Sequence, residues 1–107
     1  KDMGPNVKNG PYAASKSAVN SLTATFSREL APKIRVNAIA PGPIPTENFI
    51  DSMNMTTPER EEEIRKYIAL PLERWGTPND IGAACVYMAS EASSWVTGQC
   101  LYVSGGS

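Results

Sequence analysis

The run Ile34-Arg35-Val36-Asn37-Ala38-Ile39-Ala40-Pro41-Gly42 decides how the rest of this chain is read. It is short, rich in β-branched side chains and closed by Pro-Gly, the length and punctuation of a buried strand. Upstream, residues Tyr12 to about Leu30 contain neither proline nor glycine, and Ala14, Ala18, Leu22 and Phe26 recur every four positions, as on one face of an α-helix. Pro32 forces that helix to stop. A helix feeding such a strand suggests half of a βαβ unit. The opening Lys1 to Pro11, with its glycines, prolines and asparagines, reads as a loop.

Downstream of the strand, Pro41 to Pro58 holds four prolines and no sustained period, so it reads as loop with one short helical turn around Glu47 to Met53. Thr57-Pro58 has the chemistry of an N-cap followed by a first-turn proline, with Glu59 and Glu61 where the helix dipole favours acid. A helix is predicted from there to about Ala69, its Glu61/Arg65 and Glu62/Lys66 pairs marking a solvated face. The triple Glu61-Glu62-Glu63 is thus a helix surface and not an acidic binding patch. Thr77-Pro78-Asn79-Asp80 repeats the cap before the apolar run Ile81 to Ala89, a helix that needs packing on both sides. Gly98 introduces a last strand, about Cys100 to Val103, closed by Gly105-Gly106.

Two short strands of buried, parallel character do not make a stable sheet by themselves. The chain is therefore expected to be an α/β fragment whose sheet continues in residues outside this numbering. Its 107 residues, 41% hydrophobic with both charge signs mixed, have the composition of an ordinary globular domain. Ten Lys+Arg against eleven Asp+Glu leave a net charge of -1 with no basic block, so neither nucleic acid nor an anionic membrane is an expected partner. No apolar run approaches the roughly 20 residues that span a bilayer, and Lys1 to Pro5 lacks the apolar core of a signal peptide. The expected location is the cytoplasm or an organelle lumen. With no histidine and only Cys85 and Cys100, both in apolar stretches, no metal site is predicted and both thiols are expected to be buried and reduced.

Tyr12-Ala13-Ala14-Ser15-Lys16 places a phenol and an ammonium four residues apart on the first helix, with about 5–6 Å between their Cβ atoms. A phenol with a free pKa near 10 is a poor acid or base at neutral pH, and a nearby cation favours its ionised form. Tyr12 is then a candidate to move the proton that accompanies hydride transfer at a carbonyl or alcohol. Any helix can carry a Tyr and a Lys one turn apart, so the pair alone has little weight.

The surrounding motifs add that weight. The run from Tyr12 through Val19, the strand Ile34 to Gly42, Thr46, the segment Arg74-Trp75-Gly76-Thr77-Pro78-Asn79-Asp80-Ile81 and the segment Val96-Thr97-Gly98-Gln99 ending in Gly105-Gly106 resemble the short-chain dehydrogenase/reductase family in order and spacing. The resemblance covers Pro11 to Ser107. It implies the C-terminal half of a doubly wound Rossmann-type parallel sheet with flanking helices. Residues 1–107 would be the C-terminal catalytic part of one such domain, and its cofactor-binding N-terminal half would be absent.

Carried over by position, the resemblance implies Tyr12 as the acid/base and Lys16 as the group that lowers its pKa and bonds the nicotinamide ribose. Pro41 and Gly42 would end the strand beside the nicotinamide ring, the main chain near Ile44 would bind its carboxamide, and Thr46 would bond carboxamide or phosphate. The blander readings are that the prolines stiffen a loop and that Thr46 caps the short helix after it. The family's glycine-rich loop, catalytic serine and asparagine precede the tyrosine and are not in this chain. The turn Ala31-Pro32-Lys33-Ile34 is one residue shorter than is usual, and Ser104 stands where many members have aspartate.

The activity implied is an NAD- or NADP-dependent oxidoreductase interconverting a secondary alcohol and a ketone, with an apolar wall at Phe49, Met53 and Met55 for the substrate. Reduction of an activated double bond, as in enoyl-type members, is the neighbouring alternative. A non-catalytic oligomerisation module is the alternative of a different class. Val19, Leu22, Ala24 and Phe26 spread apolar surface around the first helix, which with the resemblance implies a homo-oligomer, a tetramer or a dimer.

Overall fold

The computed structural model describes residues 10–107, except for the side chain of Tyr12. In chain order the elements are helix α1 (Gly10–Leu30), strand β1 (Ala38–Pro41), helices α2 (Glu47–Ser52), α3 (Pro58–Tyr67) and α4 (Pro78–Ala89), a 3-10 turn (Glu91–Ser93), and strand β2 (Cys100–Val103). The two strands pair. Ala38 N–H donates to the Gln99 carbonyl and Gly42 N–H to the Val103 carbonyl, both at 2.8 Å, so the partner numbers rise together and the strands are parallel. The expected α/β class with helices around a parallel sheet is what the chain adopts.

Contacts gather into two units, one running to Ala38 with Trp95–Cys100, the other comprising Ile39–Ser94 with Leu101–Ser107. In the first unit, α1 extends as the periodicity predicted, and the residues this chain covers on it are not the apolar ones. Leu22 and Phe26 are exposed, while Thr23 and Ser27 are buried. Their hydroxyls donate to the Val19 and Ala24 carbonyls at 2.7 Å each, which satisfies them inside the helix. These small side chains admit a close neighbour, since a Cβ at Gly98 would come 2.7 Å from Ser27 Oγ. The apolar row Val19, Leu22, Phe26 and Leu30 stays open among the described residues.

The segment Ile34 to Asn37, expected as strand, bonds mainly through side chains. Val36 N–H donates to Thr97 Oγ1, Asn37 Nδ2 donates to the Val96 carbonyl, and Asn37 Oδ1 accepts from Gln99 N–H. The ladder therefore begins only at Ala38.

In the second unit, N-caps form at Thr57 and Thr77 as expected, and also at Thr46, for which capping was the blander reading. Thr46, Thr57 and Thr77 accept from the N–H of Phe49, Arg60 and Asp80 respectively. Helix α3 stops at Tyr67, two residues short of the expected end, because Ile68 turns to extended backbone. Its ion pair is Arg60–Glu63 at 2.6 Å, in place of the expected Glu61/Arg65 and Glu62/Lys66 pairs. Arg60 Nε also donates to the Met53 carbonyl, which holds that guanidinium over the start of the helix.

Met55 and Ile64 are the buried apolar residues of the described chain. Helix α4, expected to be packed on both sides, has no buried residue, and only Asp80 and the stripe of Ile81, Ala84 and Met88 are partly covered. Cys85 lies off that stripe and is exposed, contrary to the expectation of a buried thiol; Cys100 is half-buried, and both are free. No helix of the described residues is long and apolar enough to cross a membrane. Among the described residues no group of three or more metal-ligating side chains comes together.

Candidate functional site

Tyr12 and Lys16 both lie in the first two turns of α1, so the backbone places the two positions one turn apart as the spacing implied. The side chain of Tyr12 lies outside the described residues. Lys16 is half-buried. The helix starts at Gly10-Pro11, where proline fits because first-turn N–H groups have no partner within the helix. The hydroxyl of Ser15 donates back to the Pro11 carbonyl at 3.0 Å, tying this turn together.

The other candidates, Pro41, Gly42, Ile44 and Thr46, belong to the second unit, on the segment that leaves the carboxyl end of β1. Gly42 is required by the chain itself. A Cβ there would sit 2.5 Å from Ser104 Cα and 2.6 Å from Ser104 Cβ, closer than such atoms approach. The absence of a side chain thus lets the main chain after β1 lie against the main chain after β2. The resemblance implies a nicotinamide ring beside this glycine, but the space its side chain would take is filled by Ser104.

Hydrogen bonds single out one donor on this segment. Residues 41, 43 and 45 are prolines and have no N–H. Gly42 N–H is spent on Val103, and Thr46 N–H donates to the Ile44 carbonyl at 2.7 Å. Ile44 N–H donates to nothing among the described residues and is the segment's open donor. The Thr46 hydroxyl caps α2, accepting from Phe49 N–H at 3.3 Å. As a hydroxyl it retains its own O–H to donate.

An open cleft of about 490 Å³ runs along this segment, lined by Gly42, Pro43, Ile44, Arg74, Gly76 and Tyr102 among others. Sequence reasoning gave Arg74 and Gly76 no role. Arg74 grips Asp80 with two bonds, Nη1 to Oδ2 at 2.9 Å and Nη2 to Oδ1 at 3.0 Å, and its Nη1 also reaches the Trp75 carbonyl at 2.9 Å. Asp80 Oδ2 accepts in addition from Thr77 N–H and from Thr77 Oγ1, completing a capping box at the start of α4. The Arg74 bonds first, then those from Thr77, hold the Asp80 carboxyl well below the usual carboxylate range, and the same pairing raises Arg74. The signal was legible as Thr77-x-x-Asp80, a capping-box spacing.

Phe49, Met53 and Met55 do not line the cleft. Met55 is buried, and Phe49 meets Trp75 edge-on with ring centroids 5.7 Å apart. Met55 and Phe49 thus take part in packing the unit. The indole N–H of Trp75 is buried without a partner among the described residues.

Comparison with known proteins gives the following. A family model described as enoyl-(acyl carrier protein) reductase matches residues 2–107. The chain is 41% identical over 102 residues to 7alpha-hydroxysteroid dehydrogenase of Escherichia coli, an alignment that covers 94% of this chain and 38% of that enzyme. A solved structure of a 7alpha-hydroxysteroid dehydrogenase complexed with NADH and 7-oxo glycochenodeoxycholic acid superposes with a TM-score of 0.75 at 44% identity, covering 89% of this chain and 36% of that one. A protein from Agrobacterium tumefaciens provisionally described as a 2-deoxy-D-gluconate 3-dehydrogenase, solved with bound NADP, does so with a TM-score of 0.75 at 40% identity, covering 89% and 37%. The chain thus spans well under half the length of the curated relatives it matches, 35% to 39%.

Proposed function

Because this chain belongs to the short-chain dehydrogenase/reductase family, we propose that it is the part of an NAD(P)-dependent oxidoreductase that carries the proton-transfer pair and the nicotinamide-binding segment. The reaction proposed is interconversion of a secondary alcohol and a ketone. The observation that carries the reading is that positions 12 and 16, a tyrosine and a lysine, lie one turn apart at the start of α1.

The donors of the second unit fit such a cofactor. Between residues 41 and 46 three prolines and two committed N–H groups leave Ile44 N–H alone to meet an acceptor, which suits an amide oxygen. The Thr46 hydroxyl, already accepting at the cap, can donate to the same group or to a phosphate. When bound, the nicotinamide supplies or takes up the hydride. Tyr12 gives a proton to the carbonyl oxygen during reduction and takes it back during oxidation. Lys16 stabilises the phenolate electrostatically and holds a ribose hydroxyl.

The alcohol and ketone reading is supported by the names of the hydroxysteroid and deoxygluconate relatives. The matched family model is described by an enoyl substrate, so reduction of an activated double bond is the second reading. Assaying the complete protein with NADH and NADPH against steroid ketones, sugar-acid ketones and an enoyl thioester separates the two. With the preferred substrate, Tyr12→Phe should lower turnover by at least about 100-fold while leaving the dinucleotide dissociation constant unchanged. Turnover comparable to wild type would reject Tyr12 as acid/base.

The open row Val19, Leu22, Phe26 and Leu30 on α1 supports a homo-oligomer, a tetramer or a dimer. Sedimentation of the complete protein at micromolar concentration tests this, and a single monomeric species would reject it.

A further inference from the structure

Ile44 N–H belongs to the same peptide plane as the Pro43 carbonyl, and the two point in opposite directions because that peptide is trans. Whatever holds the carbonyl therefore aims the N–H. The holder is Gly76, whose N–H donates to the Pro43 carbonyl at 3.2 Å. On either side the chain is pinned, by Gly42 N–H on Val103 and by Thr46 N–H on Ile44. Prolines at 43 and 45 restrict the backbone further. The orientation of this plane is left to the Gly76 bond.

Gly76 is itself immobilised. Arg74 bridges the Trp75 carbonyl and both oxygens of Asp80, and Asp80 holds the N–H and hydroxyl of Thr77, so residues 74–77 are laced to the first turn of α4. There is little slack between this turn and the segment it supports. A Cβ at Gly76 would lie 3.1 Å from Ile44 Cγ1 and 3.5 Å from the Pro43 oxygen. The φ of Gly76 is outside the left-handed region, so alanine is allowed there by the backbone and opposed only by Ile44.

We infer that Gly76, fixed by the Arg74–Asp80 clamp, is a positioning residue for the nicotinamide end of the cofactor, acting through the Pro43 carbonyl on the direction of Ile44 N–H. The inference rests on the proposed function, in which Ile44 N–H meets the carboxamide. It separates the two ends of the dinucleotide: Gly76 matters to the nicotinamide end and is irrelevant to the adenosine end.

The test is equilibrium binding to the complete protein, using NADH and NADPH as one probe pair and ADP-ribose and its 2′-phosphate, which lack the ring and its carboxamide, as the other. Gly76→Ala should weaken the reduced dinucleotide by about fivefold, the worth of one misaligned hydrogen bond, and leave the ring-less ligand unchanged. Adding Ile44→Ala, which removes the side chain that the new methyl group meets, should return affinity to that of Ile44→Ala alone. Asp80→Asn, which adds no atoms near Ile44, should give a smaller loss with the same selectivity and serves if Gly76→Ala does not fold. Equal losses for both ligand types, or no loss for either, would overturn the inference. Wild type that binds ADP-ribose but neither dinucleotide, or binds none of these ligands, would reject the proposed function and this inference with it.

Discussion

Replacing Gly42 with alanine puts a methyl group 2.5 Å from Ser104 Cα and 2.6 Å from Ser104 Cβ. Neither neighbour is the free end of a flexible side chain, so relief requires the main chains after β1 and β2 to part. Reaching an ordinary carbon–carbon contact of about 3.5 Å means a displacement of about 1 Å. The bond from Gly42 N–H to the Val103 carbonyl, now 2.8 Å, would stretch beyond hydrogen-bonding range at that displacement. Overpacking of this kind costs about 1–3 kcal/mol, and the lost bond about 1 kcal/mol more. The sum of about 2–4 kcal/mol predicts a fall in melting temperature of roughly 5–15 °C for a protein of 150–250 residues. Thermal and urea unfolding of the complete protein measure it. A Gly42→Ala protein melting within about 1 °C of wild type, with the same urea midpoint, would show that the two main chains do not lie this close and would refute the argument.

Lys16→Met should reduce both turnover and dinucleotide affinity, since Lys16 is assigned the phenolate and a ribose hydroxyl; an unchanged dissociation constant by titration would remove the ribose contact. Asp80→Ala should lower the melting temperature at neutral pH, with the difference from wild type shrinking as the medium is acidified. The sign follows from a folded-state pKa held below the unfolded one: the contribution is complete above the ordinary carboxylate range, near pH 4, and is lost as pH falls toward the depressed value. A difference that stays constant from pH 7 to pH 2.5 would contradict it. Thr57→Ala removes the cap on Arg60 N–H and should destabilise by about 1 kcal/mol in urea unfolding, whereas Thr57→Asn should be close to neutral.

Locally encoded features were legible from the residues alone. Helix α1 and strand β2 fall where periodicity and glycine punctuation put them, and Thr46, Thr57 and Thr77 cap the helices that follow them. A cap needs only a hydroxyl and an N–H three residues away, so neighbours in sequence decide it. The same is true of the one-turn spacing of Tyr12 and Lys16. The family, too, could be read from motif order.

Tertiary structure decided what depends on partners distant in sequence. The strand shrank to Ala38–Pro41 because side chains bond in place of the ladder ahead of it: Thr97 Oγ1 accepts from Val36 N–H, while Asn37 donates to the Val96 carbonyl and accepts from Gln99 N–H, partners distant in sequence. On α1 this chain covers Thr23 and Ser27 and leaves Leu22 and Phe26 exposed, and Ser27 is covered where its hydroxyl, already bonded within the helix, lies against Gly98, a neighbour distant in sequence. Cys85 is exposed because only one stripe of α4 is covered by this chain. The need for glycine at 42 comes from Ser104, and the open donor at Ile44 emerges only after the N–H groups of Gly42 and Thr46 are seen to be engaged. A sequence lists donors and acceptors; which of them remain for a ligand is fixed by how the folded backbone pairs the others.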